Sequence, residues 1–548
     1  MKTSCCAVVA KMFVTAALSA IFFFCTRAQE VPAVQVVFTD KGLQYAKNVF
    51  TNWIQDTLEL ITLPDVKGQI PLGFLGQMDY TLSGVNISKC DFPDPSVQFS
   101  QEVSGLKTTM AGLNVALTGD WRVHWGILNA GGSFDVGVFQ VGVASEQHLG
   151  RDSGGRLCVS QVICEATTGQ VDLRLHGGSS WILQPFGSHL EAFIRRQIQA
   201  RLCPTMEDLV ENLEQHLQAM KVRLQVNQDL IVDLPLTSRP VVQAASLRFG
   251  LKGEVSSVKE PKEPPFDPQP FVLPEHAQFM LTAALSDFTL NSASFSCWAA
   301  GLLHTFIDDS MVPASSPVHL NTRSLGAFIP QVCPHSSGTP TLLRYAHTPQ
   351  ARPHSSGTPT LLRYAYTTQV RPHSSGTPTL LRHAHTPQLP GLFPDLPVVL
   401  KVHARNTPMF SFHPGAVTLI LPGAIKAFAL QANATRTPLF KLHLDSSYKG
   451  SVWVDNGRLK SSVTMDNLNL TLAATTIGPF KTDALENLSR MTMKMLVLPP
   501  LNDRLSRGVI LPQSRQVHLV QAVVSVEEGF MDLHSDVELR LNHGTMEH

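Results

Sequence analysis

The spacing of apolar positions changes period along the chain, and one change stands out. From Gln170 to Leu175 the chain alternates, with Val171, Leu173 and Leu175 set against Asp172 and Arg174, which predicts a short strand. After Gly177 and Gly178 the period becomes helical. Ile182, Phe186, Leu190, Phe193, Ile194 and Leu202 fall on one side, and Glu191, Arg195, Arg196 and Gln199 on the other. Cys203 and Pro204 interrupt this stripe. Thr205 then reads as the cap of a second helix carrying Met206, Leu209, Val210, Leu213, Leu217, Met220 and Leu224, with Glu207 and Asp208 in its first turn. Two amphipathic helices in series need a large apolar partner.

Candidate partners lie upstream. Val34 to Phe38 reads as a strand, and Asp40 opens a helix that turns Leu43, Val49, Phe50, Trp53, Ile54, Leu58 and Ile61 toward a core before Leu63, Pro64 and Asp65 stop it. From Tyr80 to Val143 short alternating segments follow: Tyr80 to Val85, Val97 to Val103, Leu113 to Leu117, Trp121 to Ile127 and Phe134 to Val143. Gly, Asp and Asn separate them, the pattern of an antiparallel meander. A twisted sheet around a long helix is the economical packing. Between Lys259 and Pro274, 6 prolines occur in 16 residues, an extended linker.

The second half repeats the plan. Strand-like pieces (Met280 to Leu285, Leu302 to Phe306, Val398 to Val402, Val417 to Leu421, Leu439 to Leu444, Gly450 to Val454, Leu468 to Ala473) precede one helix from Thr482 to Val497. Val517 to Val526 and a last alternating run close the chain. The expected fold class is α+β, an elongated molecule of two like modules. The expected division is 1–28, 29–250, the linker 251–274, 275–540 and a tail, 541–548. Within the second module, 334–388 repeats PHSSGTPTLLRxA at a period of 19, with few apolar residues, and reads as a disordered tandem insertion. Its 6 histidines have no fixed spacing in space, so no metal site is expected there.

Composition sharpens the compartment. Lys2 and Lys11, the apolar run Met12 to Phe24, and Thr26 and Ala28 at small-residue positions form a secretory signal cleaved near Ala28, and no later run is long enough to anchor the chain in a membrane. The protein is expected outside the cell, as a monomer. Cys90, Cys158, Cys164, Cys203, Cys297 and Cys333 would remain after cleavage. Cys164 and Cys203 enclose a loop of 39 residues and are predicted to pair; two unpaired buried thiols are the alternative. The pairing of the other four stays open, Cys297 with Cys333 being a guess. Asn86, Asn433, Asn469 and Asn487 lie in N-glycosylation sequons. The 43 basic and 43 acidic residues cancel, which gives no reason to expect nucleic acid. Residues 29–250 carry 16 Lys and Arg against 22 Asp and Glu, a mildly acidic half.

Chemistry is not signalled. There is no G-x-S-x-G, H-E-x-x-H, paired C-x-x-C or G-x-x-x-x-G-K-[ST], so no catalytic residues or metal ligands are assigned and a binder is expected rather than an enzyme.

The residues themselves resemble a known family. Lys41-Gly42-Leu43-x-Tyr45-Ala46, Leu63-Pro64-Asp65, Trp121 with Gly132-Ser133-Phe134-Asp135-Val136, and the Cys164/Cys203 pair are followed by five more matches, one within the linker and four beyond it. These are Pro264-Pro265-Phe266-x-Pro268, Leu285-Ser286-Asp287-Phe288, Asp309-Ser310-Met311-Val312-Pro313, Ile477-Gly478-Pro479-Phe480 and Leu498-Pro499-x-Leu501-Asn502. This collinear series over nearly all of 34–540 is similar to the bactericidal/permeability-increasing and lipopolysaccharide-binding protein family, which includes phospholipid and cholesteryl ester transfer proteins.

The resemblance implies a boomerang of two barrels, each a twisted antiparallel sheet around a long helix, joined by a central sheet. It implies no cofactor beyond a bound phospholipid, whose acyl chains each barrel would take into an apolar pocket. It implies a function in innate defence, with bacterial lipopolysaccharide or outer membrane as a partner; extracellular phospholipid transfer is the alternative. Leu43, Phe50, Phe186, Leu190 and Phe193 are the candidates for the N-terminal pocket, or else plain core. The loops that match the family's basic tip supply only Lys67, Arg122, Arg174, His124 and His176, with Glu59, Asp65 and Asp120 nearby, so the electrostatic grip on lipid phosphates is expected to be weak. Trp121 and Trp125 are weighed evenly between a lipid interface and the core. The tail that begins Leu541-Asn542-His543-Gly544 shows no sign of the terminal amphipathic helix tied to neutral-lipid transfer, which disfavours cholesteryl ester exchange.

Overall fold

In a computed structural model, strands from both ends of the chain meet in one antiparallel sheet. The structure describes residues 30–58, 62, 63, 65–71, 76–177, 180, 187–312, 318–329, 393–511 and 517–539; the signal segment, the repeats and Cys333 lie outside them. The meeting sheet has 6 strands in the order Val241–Val242, Ser246–Leu251, Val34–Thr39, Leu281–Ser286, Phe530–Leu539, Val517–Glu527. Its first half comes from the N-terminal module and its second half from the C-terminal one. At the junction Val34–Thr39 runs antiparallel to Leu281–Ser286, with Val36 opposite Ala283.

The described helices are α1 (Asp40–Leu58), α2 (Gly187–Ala219), α3 (Asp287–Ala299), α4 (Thr322–Phe328), α5 (Asp483–Thr492) and α6 (Leu498–Arg507). Val34–Thr39 leads straight into α1, and Leu281–Ser286 leads straight into α3. The two modules therefore enter the molecule by the same strand-then-helix step.

Each module then builds a curled antiparallel sheet. The N-terminal sheet has 8 strands, dominated by Gln77–Asp91, Gly105–Trp125, Leu128–Arg151 and Leu157–Thr167. The C-terminal sheet has 7, dominated by Ala416–Leu430, Arg436–Asp455 and Arg458–Thr475. The alternation predicts Leu113 to Leu117 and Trp121 to Ile127 as separate strands, yet one strand, Gly105–Trp125, takes in the first and most of the second, and Gly126 and Ile127 fall in the turn that follows. Gly119, which looks like a break, is a strand residue whose missing side chain makes room for Phe134, since a Cβ there would lie 3.0 Å from that ring. Register shifts at Met110/Leu113 and Leu113/Val115 put bulges into this long strand and increase its twist.

A helix closes the open edge of each sheet. Along α2, Glu191 Oε1 accepts from Leu173 N at 3.3 Å, Gln199 Nε2 donates to Ala166 O at 3.1 Å, and Glu214 Oε2 accepts from Val159 N at 2.6 Å. Along α5 and α6, Glu486 Oε2 accepts from Leu470 N at 3.1 Å, Arg490 Nη2 donates to Leu468 O at 2.6 Å, and Asn502 both accepts from Val463 N and donates to Val463 O. Backbone groups that an edge strand would leave bare are thereby satisfied by side chains.

Two helical readings change. Cys203 and Pro204 predict a break, with Thr205 as a new cap, but α2 runs through both. Ala200, whose carbonyl loses its partner to the proline, faces water, and Thr205 Oγ1 donates to Arg201 O at 2.9 Å instead of capping. Downstream, the helix expected from Thr482 to Val497 continues through a π turn, Met493–Val497, into α6, where Pro499 and Pro500 occupy first-turn positions that need no N–H donor.

Candidate functional site

Under α2 two periodicities converge on one space. From the sheet come Met78, Tyr80 and Leu82, then Trp121 and Val123, Phe134 and Val136, Leu173 and Leu175, each set two residues apart and so on one face. From α2 come Leu190, Phe193, Ile194, Gln197 and Ile198, the spacing of one helical stripe. They enclose a cavity of about 200 Å³. Gln197 is the one amide among the described lining residues and stands exposed at the rim. The Tyr80 and Phe193 rings meet edge to face at 6.1 Å, and Trp121 Nε1 donates to Ser133 O at 3.0 Å, which satisfies its only donor. No charged residue is among the described residues that line the space, and the Tyr80 phenol is their one titratable side chain, so it suits hydrocarbon.

Rigid parts hold it open. Cys164 and Cys203 are joined, with Cα atoms 5.7 Å apart, fixing α2 to the strand Leu157–Thr167 midway along the helix. Gly132 lets the strand Val171–His176 close against the sheet, because a Cβ there would sit 1.9 Å from His176 O. Cys297 on α3 is partly buried and burial pushes its thiol up.

The pocket candidates divide. Leu190 and Phe193 line the cavity. Leu43 does not; it is buried in a separate cluster with Phe99, Leu149, Val159 and Leu247, because α1 packs at the root of the module. Phe50 is 49% exposed on α1, and Phe186 lies outside the described residues. The period shows which side of α2 is apolar but not which sheet residues face it. Their signal is the same alternation in the strands, in Tyr80, Leu82, Phe134 and Val136.

The tip candidates divide as well. Trp121 is only 2% exposed and faces the cavity rather than solvent, while Trp125 is half-buried and packs against the same cluster. Lys67, Arg122, His124, Arg174 and His176 are all exposed. Arg174 is held by Asp172 at 3.3 Å, His176 Nε2 by Asp135 at 2.8 Å, and His124 Nδ1 lies 2.7 Å from Asn129. Beyond them the turn after Trp125 presents Ile127, 97% exposed, and Leu128, 46% exposed. Sequence reasoning does not single out that apolar turn, although an isoleucine after Gly126 in a hairpin turn is its visible sign. The four sequon asparagines, Asn86, Asn433, Asn469 and Asn487, are exposed.

Comparison with known proteins covers both modules. The N-terminal domain of the LBP / BPI / CETP family matches residues 42–213, and its C-terminal domain matches 224–340 and 377–539. A bactericidal permeability-increasing protein of Sebastes schlegelii is 30% identical over 508 residues, covering 92% of this chain and 95% of the relative. A lipopolysaccharide-binding protein of Bos taurus is 24% identical over 507 residues, covering 92% and 93%. The crystal structure of a lipopolysaccharide binding protein superposes with a TM-score of 0.51 at 22% identity, covering 93% of this chain and 99% of that one, and shares the two-module fold. The chain belongs to the LBP / BPI / CETP family.

Proposed function

We propose that this is a secreted lipid-binding protein of innate defence that takes phospholipid hydrocarbon into the cavity under α2 and meets the bacterial envelope, lipopolysaccharide included, with its N-terminal tip. The cavity carries this reading, because its lining is apolar but for Gln197 at the rim and is closed by a helix pinned at mid-length. Each methylene moved from water into such a lining is worth about 0.8 kcal/mol, so chain length rather than charge sets the affinity. Relatives named for permeabilising bacteria and for binding lipopolysaccharide support the same direction. No helix among the described residues is long and apolar enough to cross a membrane, which fits a protein that visits lipid surfaces.

The tip supports contact by insertion more than by charge. Arg174 and His176 are already engaged by acids, whereas Ile127 and Leu128 stand in solvent. Replacing both by aspartate is expected to weaken binding to lipopolysaccharide aggregates about tenfold or more at physiological salt, while Arg122→Ala changes it less. Wild-type protein that binds neither lipopolysaccharide nor phospholipid vesicles would contradict the proposal. Release of labelled phospholipid from donor to acceptor vesicles over many turnovers would move the reading to transfer.

A further inference from the structure

Three side chains converge in the central sheet, away from the cavity and the tip. Asp532 and His534 are two apart on the strand Phe530–Leu539 and share one face, where they are 2% and 3% exposed. His534 Nε2 lies 3.3 Å from Asp532 Oδ2, and its Nδ1 lies 3.1 Å from Thr282 Oγ1 on the neighbouring strand. His276, at the end of the segment joining the two modules, brings its ring centroid to 4.0 Å from that of His534. One donor atom from each of His276, Asp532 and His534 lies within 4.8 Å of the others.

Asp532 Oδ1 is buried and has no hydrogen-bond partner among the described residues. Leaving a carboxylate oxygen so placed is costly unless a cation compensates it. The nearby charges are committed elsewhere. Asp536, on the same face, is held by Lys41 Nζ at 2.7 Å and by Met280 N at 3.0 Å, and Glu275 is held by Arg248 at 2.5 Å. Phe279 also stacks on the His534 ring, with centroids 5.5 Å apart.

We propose that His276, Asp532 and His534 form a binding site for a divalent transition-metal ion such as Zn²⁺, which two imidazoles and one carboxylate hold with a fourth position open to water. Ligands about 2.0–2.1 Å from a tetrahedral Zn²⁺ are roughly 3.3 Å from one another. The Asp532–His534 separation already has that value. With the Thr282 hydroxyl oxygen accepting from Nδ1–H across their 3.1 Å contact, His534 would keep Nε2 for the ion, the orienting role a hydrogen-bonded partner plays for metal-binding histidines. The Gln278 side-chain amide nitrogen lies 3.4 Å from His276 Nδ1, beside the site. His276 is only half-buried, which gives the ion an entry path and leaves a fourth position for water. A proton shared between Asp532 and His534 would account for one carboxylate oxygen but not for the other, nor for His276. The ion ties the intermodule segment to the last strand of the C-terminal module, at the sheet where both modules meet.

The test is Zn²⁺ titration of the full secreted chain after chelator treatment, followed by calorimetry and native mass spectrometry. Any uptake by the repeat histidines is common to every variant, so the comparison is between proteins. Wild type is expected to hold one Zn²⁺ per chain that His276→Ala, altered at a half-buried position, binds roughly a hundredfold more weakly. Thr282→Val should weaken the same site about tenfold or more. Co²⁺ bound to wild type should show the intense visible bands of a four-coordinate site, absent from His276→Ala. Equal Zn²⁺ stoichiometry and affinity in wild type and His276→Ala, or no Zn²⁺ retained by either, would overturn the assignment. Neither result depends on a variant of the fully buried Asp532, whose replacement could prevent folding.

Discussion

Three lysines stand side by side on the C-terminal sheet. Lys401 is directly opposite Lys426, and Lys426 directly opposite Lys441, an arrangement that like charges disfavour. Phe306 relieves part of it, with Lys401 Nζ 5.5 Å and Arg436 4.8 Å from its ring centroid. His403, one row away, is held below its ordinary value of 6.5, first by burial and then by Lys426, Lys401 and Lys441. With a depressed value in the folded state, the unfolded chain takes up the proton first. Stability therefore falls as pH drops through 6.5 and stops falling once the folded-state value is passed. Lys426→Gln should raise the melting temperature and flatten its decline between pH 7.5 and 5.5. An unchanged pH profile in thermal denaturation would show that the lysines do not act on His403. Single residues are legible only in part from sequence: period finds Leu190 and Phe193, whereas Leu43 and Trp121 need the packing partner to be known.

At the scale of elements, the long helices act as edge closures as much as core. Glu191 and Glu214 on α2, like Glu486 and Asn502 on the last helical stretch, satisfy backbone groups of edge strands. The disulfide fixes α2 between these two contacts. Removing it by Cys164→Ser with Cys203→Ser takes away a closed loop of 39 residues, worth up to about 4 kcal/mol in the chain-entropy estimate. Amides of residues 187–202 should then exchange with solvent faster than those of the C-terminal sheet. Equal protection of both would mean that the helix is held by packing alone. The amphipathic stripe of α2 is plain in the sequence, but its continuity through Pro204 is not, because that depends on an exposed carbonyl. Helix α3 has no stripe to read. Its buried side includes Asn291, Ser292 and Ser296, which bond to Phe410, Val255 and neighbouring backbone, so hydrophobic period could not reveal it.

For the whole molecule, the central sheet makes the two modules interdependent. Val34–Thr39 has a partner on each side, Ser246–Leu251 from its own module and Leu281–Ser286 from the other. A fragment of residues 30–250 would expose one side of that strand as an unpaired edge. It should melt at a lower temperature than the intact chain and self-associate, as scanning calorimetry and sedimentation would show; a monomeric fragment of unchanged melting temperature would contradict this coupling. The duplication is readable from the order of strands and helices. The pairing between modules is not, because no local signal joins residues so far apart in sequence.

The central claim is that the space under α2 holds lipid, and native mass spectrometry of the purified protein tests it most directly. The wild-type chain should carry added mass equal to at least one phospholipid. Leu173→Trp, which fills the cavity from a partly buried strand position, should fold and lose that mass. Wild-type protein of bare polypeptide mass, or a variant that keeps its lipid, would contradict the account.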